Sequence, residues 1–560
     1  MKAVALANND VALVAWRYES KIEDCLGFAV YRIDLNSRQT AALPAWVGFK
    51  GQSNKDWHPS TTEVWPVQKF NWRDLTARRD GFYQYKIVPM IGSPGSLTPL
   101  ADHTIATNPV HLTPNRGNLF SYFNRGILST QSLGHQIPSG PGGQPNYRKL
   151  IDRIDQPGDP LRNRLAGDMR DALMMLLNRA RTNGGECYAA LYELNDPELL
   201  QLLIGSPFVH LILSNTGKDD ETNVAARQTL HESGVDITDR MLSGDHIGHN
   251  KFVVYVDSQN VPQTVLAGST NWTYTGLCGQ SNNSLLIDSP DLAKAYLDYW
   301  NRLKADAAKQ GADFRAKNET GHQVTLPDGT TTIHLWFSPN TSQKAKPKSN
   351  PKPPPDMEEV FSVINGARQA VLFLAFIPGK PSIMDAIEDA QQANPKLFVR
   401  GALTDRKTAE AYNVQLFHRT GIRPDATVVP ATAVDDEFSF WRKELLKTSP
   451  SAHAIIHDKI VVVDPFSPGC VVITGSHNLG YKASYSNDEN LLILRGNRAI
   501  AESYTTHVMD VYDHYRWRYT LQTQKSRAWS GLEKTDAWQD KYFAANSKAL
   551  NELDFWASAT

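Results

Sequence analysis

Two stretches of the chain carry the same polar residues at nearly the same spacing. "HNKFVVYVDSQNVPQTVLAGSTN" runs from His249 to Asn271, and "HDKIVVVDPFSPGCVVITGSHN" runs from His457 to Asn478. Each opens on a His and a Lys two residues apart and closes on Gly-Ser-x-Asn. The first copy holds His249, Lys251, Gly268, Ser269 and Asn271; the second holds His457, Lys459, Gly475, Ser476 and Asn478. His to Asn is 22 residues in one copy and 21 in the other. A neutral imidazole can attack phosphorus, and a protonated one can give its proton to a leaving group. Ammonium and amide N–H groups hold oxyanions. Two such copies facing one another would converge two His, two Lys and two Asn on one phosphate. Ser269 and Ser476 would stand beside them as substrate contacts.

The elements around the motifs must do this positioning. "FVVYV" and "IVVV" read as buried strands, and residues i and i+2 of a strand share a face, so each His and Lys point the same way. Before the first motif, helical and strand patterns alternate ("RNRLAGDMRDALMMLLNRART", "CYAALYEL", "FVHLILSN"), and "DLAKAYLDYWNRLKADA" follows it as a helix. The second motif has the same order of parts: "MEEVFSVINGARQ", "AVLFLAFIP", "IMDAIEDAQQA" and "LFVRGALTD" before it, "IAESYTTHVMDVYDHYRWRY" after it. This is an internal duplication of an α/β lobe with a parallel or mixed sheet. The expected lobes are 106–340 and 357–560. Between them, 341–356 holds five prolines and four lysines (Lys344, Lys346, Lys348, Lys352) and reads as a linker or loop. Residues 1–105 contain short alternating β-branched and aromatic runs and no helical period, as in a small all-β sandwich.

The chain of 560 residues is too long for one core. Its net charge of -1 provides no global field for a polyanion, so any such site is a local patch. Cys25, Cys187, Cys278 and Cys470 have neither zinc nor disulfide-framework spacing and read as reduced thiols. The N-terminus lacks a signal-peptide core, and no apolar run reaches the ~20 residues of a membrane span. A cytoplasmic protein is expected, with signal-peptide-independent export left open.

The two motifs resemble those of the phospholipase D superfamily, whose signature is HxK, four residues, Asp, then GSxN, twice per active site. Asp464 fits this spacing; Asp257 comes one residue later. The resemblance implies two pseudo-symmetric phospholipase D-like α/β lobes forming one site. It implies two-step phosphodiester cleavage through a phosphohistidine, with no metal and no cofactor. Lys251, Lys459, Asn271 and Asn478 would hold the nonbridging oxygens, and Asp464 would make a structural ion pair. Glu489 falls where the family keeps a hydrogen-bond partner for the His ring; its counterpart is Asn283, or Asn282 with a one-residue slip. A carboxylate raises a His pKa and a neutral amide does not. The expectation is therefore that His457, paired with Glu489, is the acid, and that His249 is the nucleophile. That asymmetry resembles tyrosyl-DNA phosphodiesterases. The N-terminal strands "VALVAWRYES", "GFAVYRIDL" and "GFYQYKIVPMIG" resemble a fibronectin type III or immunoglobulin-like module, whose partner cannot be read.

A phosphodiester substrate is implied, with nucleic acid favoured and phospholipid as the alternative; an inactive binding scaffold is a third reading. Trp272, in "GSTNWT", is a candidate to stack a base. The Trp-rich "WSGLEKTDAWQDKYF" would offer a lipid an apolar surface. His246, His453, Arg125 and the loop Asn124 to Tyr147 are further candidates to reach the cleft.

Overall fold

The apolar runs that join each His-Lys pair to its Gly-Ser-x-Asn turn are buried strands in the computed structural model of the protein. The structure describes residues 1–52, 54, 58–126, 152–216, 220–244, 246–344, 351–404, 428–430, 456–523, 531–545 and 547–559, with 428–430 and 517–523 described by their backbone only. The chain divides into two units: Met1–Pro114 with Glu502–Asp510 and Thr520–Thr560, and Asn115–Ala501 with Val511–Tyr519.

The second unit holds both α/β lobes. The first lobe has strands β1 (Leu119–Phe123), β2 (Glu186–Leu191), β3 (Val209–Thr216), β4 (Asp236–Leu242), β5 (Lys251–Val256), β6 (Pro262–Gly268) and β7 (Asn283–Asp288). They lie in the order β1-β7-β6-β5-β2-β3-β4. Strands β2, β3 and β4 are mutually parallel, and β5 to β7 are antiparallel to their neighbours. The second lobe has β8 (His322–Thr325), β9 (Thr332–Ser338), β10 (Ala370–Ala375), β11 (Phe398–Leu403), β12 (Val428–Pro430), β13 (Ile460–Val463), β14 (Val471–Gly475) and β15 (Glu489–Arg495). Their order is β8-β9-β15-β14-β13-β10-β11-β12. Apart from the extra edge strand β8, the two sheets have one topology, so the repeat in sequence is a repeat in fold. Apart from Lys251 at the start of β5, the central strands are apolar, as strands covered on both faces must be.

Glycine is required at the end of β6 and β14 because the neighbouring backbone passes close by. A Cβ on Gly268 would come within 2.3 Å of the Asn283 carbonyl oxygen, and one on Gly475 within 2.4 Å of that of Asn490. Gly475 also has a φ of 136°, which a side chain disfavours.

The first unit is β-rich. Lys2–Ala7, Ala12–Arg17 and Asn71–Asp74 form an antiparallel sheet. Cys25–Asp34 and Phe82–Ser93 centre a second sheet, which Ile105–Ala106 and Val110–His111 join. The unit therefore extends past the expected limit at 105. A core of Val14, Trp16, Phe28, Phe70 and Tyr85 lies in it, and Trp538, Tyr542 and Leu553 complete that core. Trp538 packs 5.8 Å from the Phe28 ring and 5.5 Å from the Phe70 ring, and its Nε1–H donates to the Cys25 carbonyl at 2.9 Å. This corrects two expectations. Residues 520–560 group with the N-terminal unit and not with the second lobe, and the aromatic side chains Trp538 and Tyr542 are core rather than a surface for lipid. The reason is the large apolar area of these rings, whose one polar group is satisfied on burial. Trp538→Ala should therefore cost about 3–5 kcal/mol, read as a lowered denaturation midpoint for the β-rich unit.

Candidate active site

Each motif ends its own lobe's strand but is gripped by the other lobe. The His249 N–H donates to the Asp488 carbonyl, and the Asp488 N–H to the Ile247 carbonyl, both at 2.9 Å. In the other half the His457 N–H donates to the Ser281 carbonyl at 2.9 Å, and Ser281 bridges Ile456. The lead-in to each His thus pairs with the segment just before the last strand of the opposite lobe. This brings His249 and His457 to a ring-centroid separation of 6.2 Å, with the ring planes at 74°. One phosphoryl group can be reached by both rings at that spacing, since attack distances are about 3–3.5 Å.

The rings' partners also cross between lobes. His249 Nδ1 lies 3.1 Å from the Ser476 carbonyl and 3.2 Å from Glu489 Oε1. His457 Nδ1 lies 2.9 Å from Asn282 Oδ1. The Asn282 amide is oriented by its Nδ2, which donates to the Gly276 carbonyl at 2.9 Å. Every atom facing the two Nδ1 positions is an acceptor, so both Nδ1 atoms carry the proton and both Nε2 atoms present a lone pair. His457 Nε2 is buried with no protein partner among the described residues. Glu489 therefore serves His249, not His457 as its position in the sequence suggests. The counterpart of Glu489 is Asn282. Asn283, the other alignment, is turned away and donates from Nδ2 to Thr474 Oγ1 at 2.8 Å.

The lysines and asparagines stand around the rings. Lys251 Nζ donates to the His249 carbonyl at 2.7 Å, and Lys459 Nζ to the His457 carbonyl at 2.6 Å. Each ammonium lies over an aromatic ring, Lys251 over Tyr192 at 5.0 Å and Lys459 over Phe376 at 5.3 Å. The same rings pack edge-on against the histidines. Asn271 Nδ2 donates to the buried carboxylate of Glu193. The Asn478 N–H donates to Glu489 Oε2 at 3.0 Å, and Asn487 Nδ2 donates to Glu489 Oε1 at 2.7 Å.

Burial governs the electrostatics. It lowers both histidines well below the usual imidazole range, and the charges of Lys251 and Lys459 lower them further. Burial also brings Lys251 down to about 7, against the raising effect of Glu193 and Glu489. Lys459 is depressed in the same way. Burial raises Glu489, and His477, Asn487 and the two lysines oppose that rise.

Several expected contacts are structural instead. Ser269 Oγ accepts the Asn283 N–H, and Ser476 Oγ accepts the Asn490 N–H, both at 3.0 Å, so these hydroxyls pin the next strand. Trp272 is 1% exposed within the first lobe's core, where its backbone N–H donates to the Glu193 carbonyl at 3.0 Å; it cannot stack a base. Among the described residues, Asp464 makes no ion pair with a cation. It accepts the backbone N–H groups of Arg368, Gln369 and Ala370 at 2.9, 2.7 and 2.8 Å and so orders the start of β10. Asp257 caps its own turn through the N–H groups of Gln259 and Val261. His246 meets Gln310 Oε1 at 2.5 Å, and the Arg125 N–H donates to the Leu165 carbonyl. His453, Lys346, Lys348 and residues 127–147 lie outside the described residues. Among the described residues, no group of three or more His, Cys, Asp or Glu could hold a metal ion, and no helix is long and apolar enough to cross a membrane.

Glu193, Tyr192 and Phe376 were not anticipated. Tyr192 and Phe376 each directly follow the strand that flanks the His-Lys strand, and comparing "AALYEL" with "FLAFIP" shows the shared aromatic.

Residues 360–510 match the family model described as "Cardiolipin synthase, PLD-like domain". Residues 360–510 are thus similar to a phospholipase D-like domain, within a mixed α/β fold that has a β-rich N-terminal region. Three of the solved structures similar to this chain show the range. Polyphosphate kinase from Porphyromonas gingivalis shares 14% identity over 57% of this chain, with a TM-score of 0.35, and the match spans only 42% of that enzyme. Phosphatidylserine synthase from Haemophilus influenzae Rd KW20 shares 11% identity over 65% of this chain and 91% of its own, with a TM-score of 0.41. Yeast tyrosyl-DNA phosphodiesterase shares 9% identity over 56% of this chain and 84% of its own, with a TM-score of 0.33. No curated protein sequence matches the chain.

The lowered histidines make a prediction about stability. With folded pKa values below the unfolded 6.5 or so, the unfolded state binds more protons as pH falls through that value. This contribution to stability is intact above about pH 7 and lost on acidification. Between pH 7.5 and pH 5 the melting temperature of the wild type should fall further than that of a His249→Gln/His457→Gln variant.

Proposed function

We propose that the protein cleaves phosphodiester bonds without a metal ion, through a phosphohistidine on His249, and that its substrate is nucleic acid. The observation that carries the reaction is the pair of Nδ1-protonated imidazoles beside two buried lysines. His249 Nε2 attacks phosphorus, and the P–O bond to the leaving group breaks. The negative charge of the bound phosphate favours a second proton on His457, taken from solvent at Nε2, and His457 gives that proton to the leaving oxygen. It then takes a proton from water as the water oxygen displaces His249.

The division of labour follows from the crossed partners. A phosphorylated imidazole carries positive charge, and Glu489, facing Nδ1–H of His249, stabilises it. His457 faces a neutral amide and releases its proton more readily. His249 thus remains the proposed nucleophile, but for the opposite reason to the one the linear sequence suggests. Lys251, Lys459 and Asn478 balance the charge on the nonbridging oxygens.

Nucleic acid is favoured because the described end of the lysine-rich segment, at Lys352, lies against the second lobe near its motif. The Lys352 carbonyl accepts a hydrogen bond from Tyr485, seven residues past Asn478. Neighbouring phosphates of a polyanion would meet such lysines. The second reading is a phospholipid substrate, which the description of the matching family model favours.

Purified protein with EDTA should cleave labelled DNA or RNA in preference to phosphatidylcholine vesicles. Cleavage that is lost in EDTA and restored by magnesium overturns the reaction; turnover of the vesicles alone overturns the substrate. With a nitrophenyl diester, His457→Ala should accumulate an acid-labile phosphate on His249, located by mass spectrometry, because no base remains to activate water. His249→Ala should form none, and an adduct on His457 in that variant reverses the roles.

A further inference from the structure

Glu193 belongs to neither motif, yet its carboxylate meets one of the motif asparagines. It is 5% exposed and accepts a hydrogen bond from Asn271 Nδ2. A carboxylate only accepts, so the atom of Asn271 that faces it must be the nitrogen. The backbone holds the pair in register: the Trp272 N–H donates to the Glu193 carbonyl at 3.0 Å, and Leu194 bridges Trp272. One of the two Nδ2–H donors of Asn271 is therefore committed to Glu193. Its Oδ1 is buried and has no protein partner among the described residues.

Among the described residues, the second lobe has no carboxylate at the equivalent place. Leu191 pairs with Lys251, and Leu374 with Ile460, which sets Ala375 opposite Lys459. Two residues beyond Leu191 is Glu193; two beyond Ala375 is Ile377. Glu193 also changes the charge of the cage. Lys251 and Lys459 both feel Glu193 and Glu489, and Asp458 acts on Lys459 as well. Buried carboxylates thus favour the charged form of the two lysines before any substrate enters.

Resting on the phosphodiesterase reading, we infer that Glu193 is a specificity-determining residue: its buried carboxylate takes one N–H of Asn271 and places negative charge beside the cage, so that the cage accepts a singly charged diester and rejects a doubly charged monoester. Hydrolysis turns one into the other. A phosphodiester carries one negative charge, whereas a monoester has a second pKa of about 6 and carries nearly two at neutral pH. The product is then expelled by the same carboxylate that the substrate tolerates. Glu193 acts through Asn271 and the lysines, as a positioning residue.

The test is equilibrium binding, which needs no turnover. Inorganic phosphate and diethyl phosphate are titrated by calorimetry at pH 7.5 into wild type and Glu193→Gln, with circular dichroism as the check on folding. Glu193→Gln should bind inorganic phosphate about tenfold tighter and diethyl phosphate no more than about threefold tighter, because removing one buried negative charge favours the dianion more. Glu193→Ala repeats the measurement without the acceptor. Wild type itself, which needs no variant to fold, should bind diethyl phosphate at least as tightly as inorganic phosphate. Equal tightening of both ligands, no tightening, no phosphate binding in any of these proteins, or a wild type that prefers inorganic phosphate overturns the inference. Failure of diester cleavage by wild type is a separate result and overturns the proposed reaction instead.

Discussion

The crossing of backbone and side-chain partners between the lobes is the constraint on which the site depends. His249 is held by Asp488, Ser476 and Glu489 of the second lobe, and His457 by Ser281 and Asn282 of the first. Neither lobe contains a complete histidine. A buried network reinforces the clasp: Arg240 donates to Asp488 at 2.6 Å and to Asp306 at 2.9 Å, and Gln310 Nε2 donates to Asp488 Oδ1 at 2.8 Å. Asp488 directly precedes Glu489, so the ion pair that joins the lobes also fixes the backbone from which the carboxylate reaches His249. Breaking such a buried pair leaves an uncompensated charge, which is why pairs of this kind specify an arrangement more than they stabilise it.

The second constraint is electrostatic. Two histidines and two lysines are almost entirely removed from water, against the cost of burying charge. Three features offset that cost. Each lysine donates to a backbone carbonyl two residues back, each lies over an aromatic face, and two carboxylates act on both of them. The low dielectric that makes the lysines easy to deprotonate also strengthens their pull on a phosphate. A site in water would have neither property.

Much of this could be read from the sequence because it is local. A His and Lys two apart on an apolar strand, then Gly-Ser-x-Asn, betray themselves twice at one spacing, and the repeated order of helices and strands follows from hydrophobic period. What could not be read is any partner that comes from the other copy. Glu489 lies near His457 in the chain and serves His249; that exchange is a property of the lobes' docking and leaves no mark in spacing. Trp272 was misleading for a related reason. Its place after Asn271 looks exposed, but the bridge from Leu194 draws it into the first lobe's core. Trp538 and Tyr542 misled through distance, since their neighbours Phe28 and Phe70 lie over 450 residues earlier.

The duplicated fold is nearly symmetric, and its departures from symmetry fall on the residues around the rings. Asn282 stands where the other half has Glu489, Glu193 where it has Ile377, and Asn250 where it has Asp458. Shared strands, glycines and serines keep the two histidines in equivalent positions, as the matching roles of Ser269 and Ser476 show. A reaction in which one ring takes phosphorus and the other moves protons needs equal placement but unequal chemistry. The frame can therefore stay symmetric while the neighbours of each ring diverge. The first lobe, with Glu193 on Asn271, sets the charge of the oxyanion cage; the second, with Glu489 on His249, sets the cation that the nucleophile becomes.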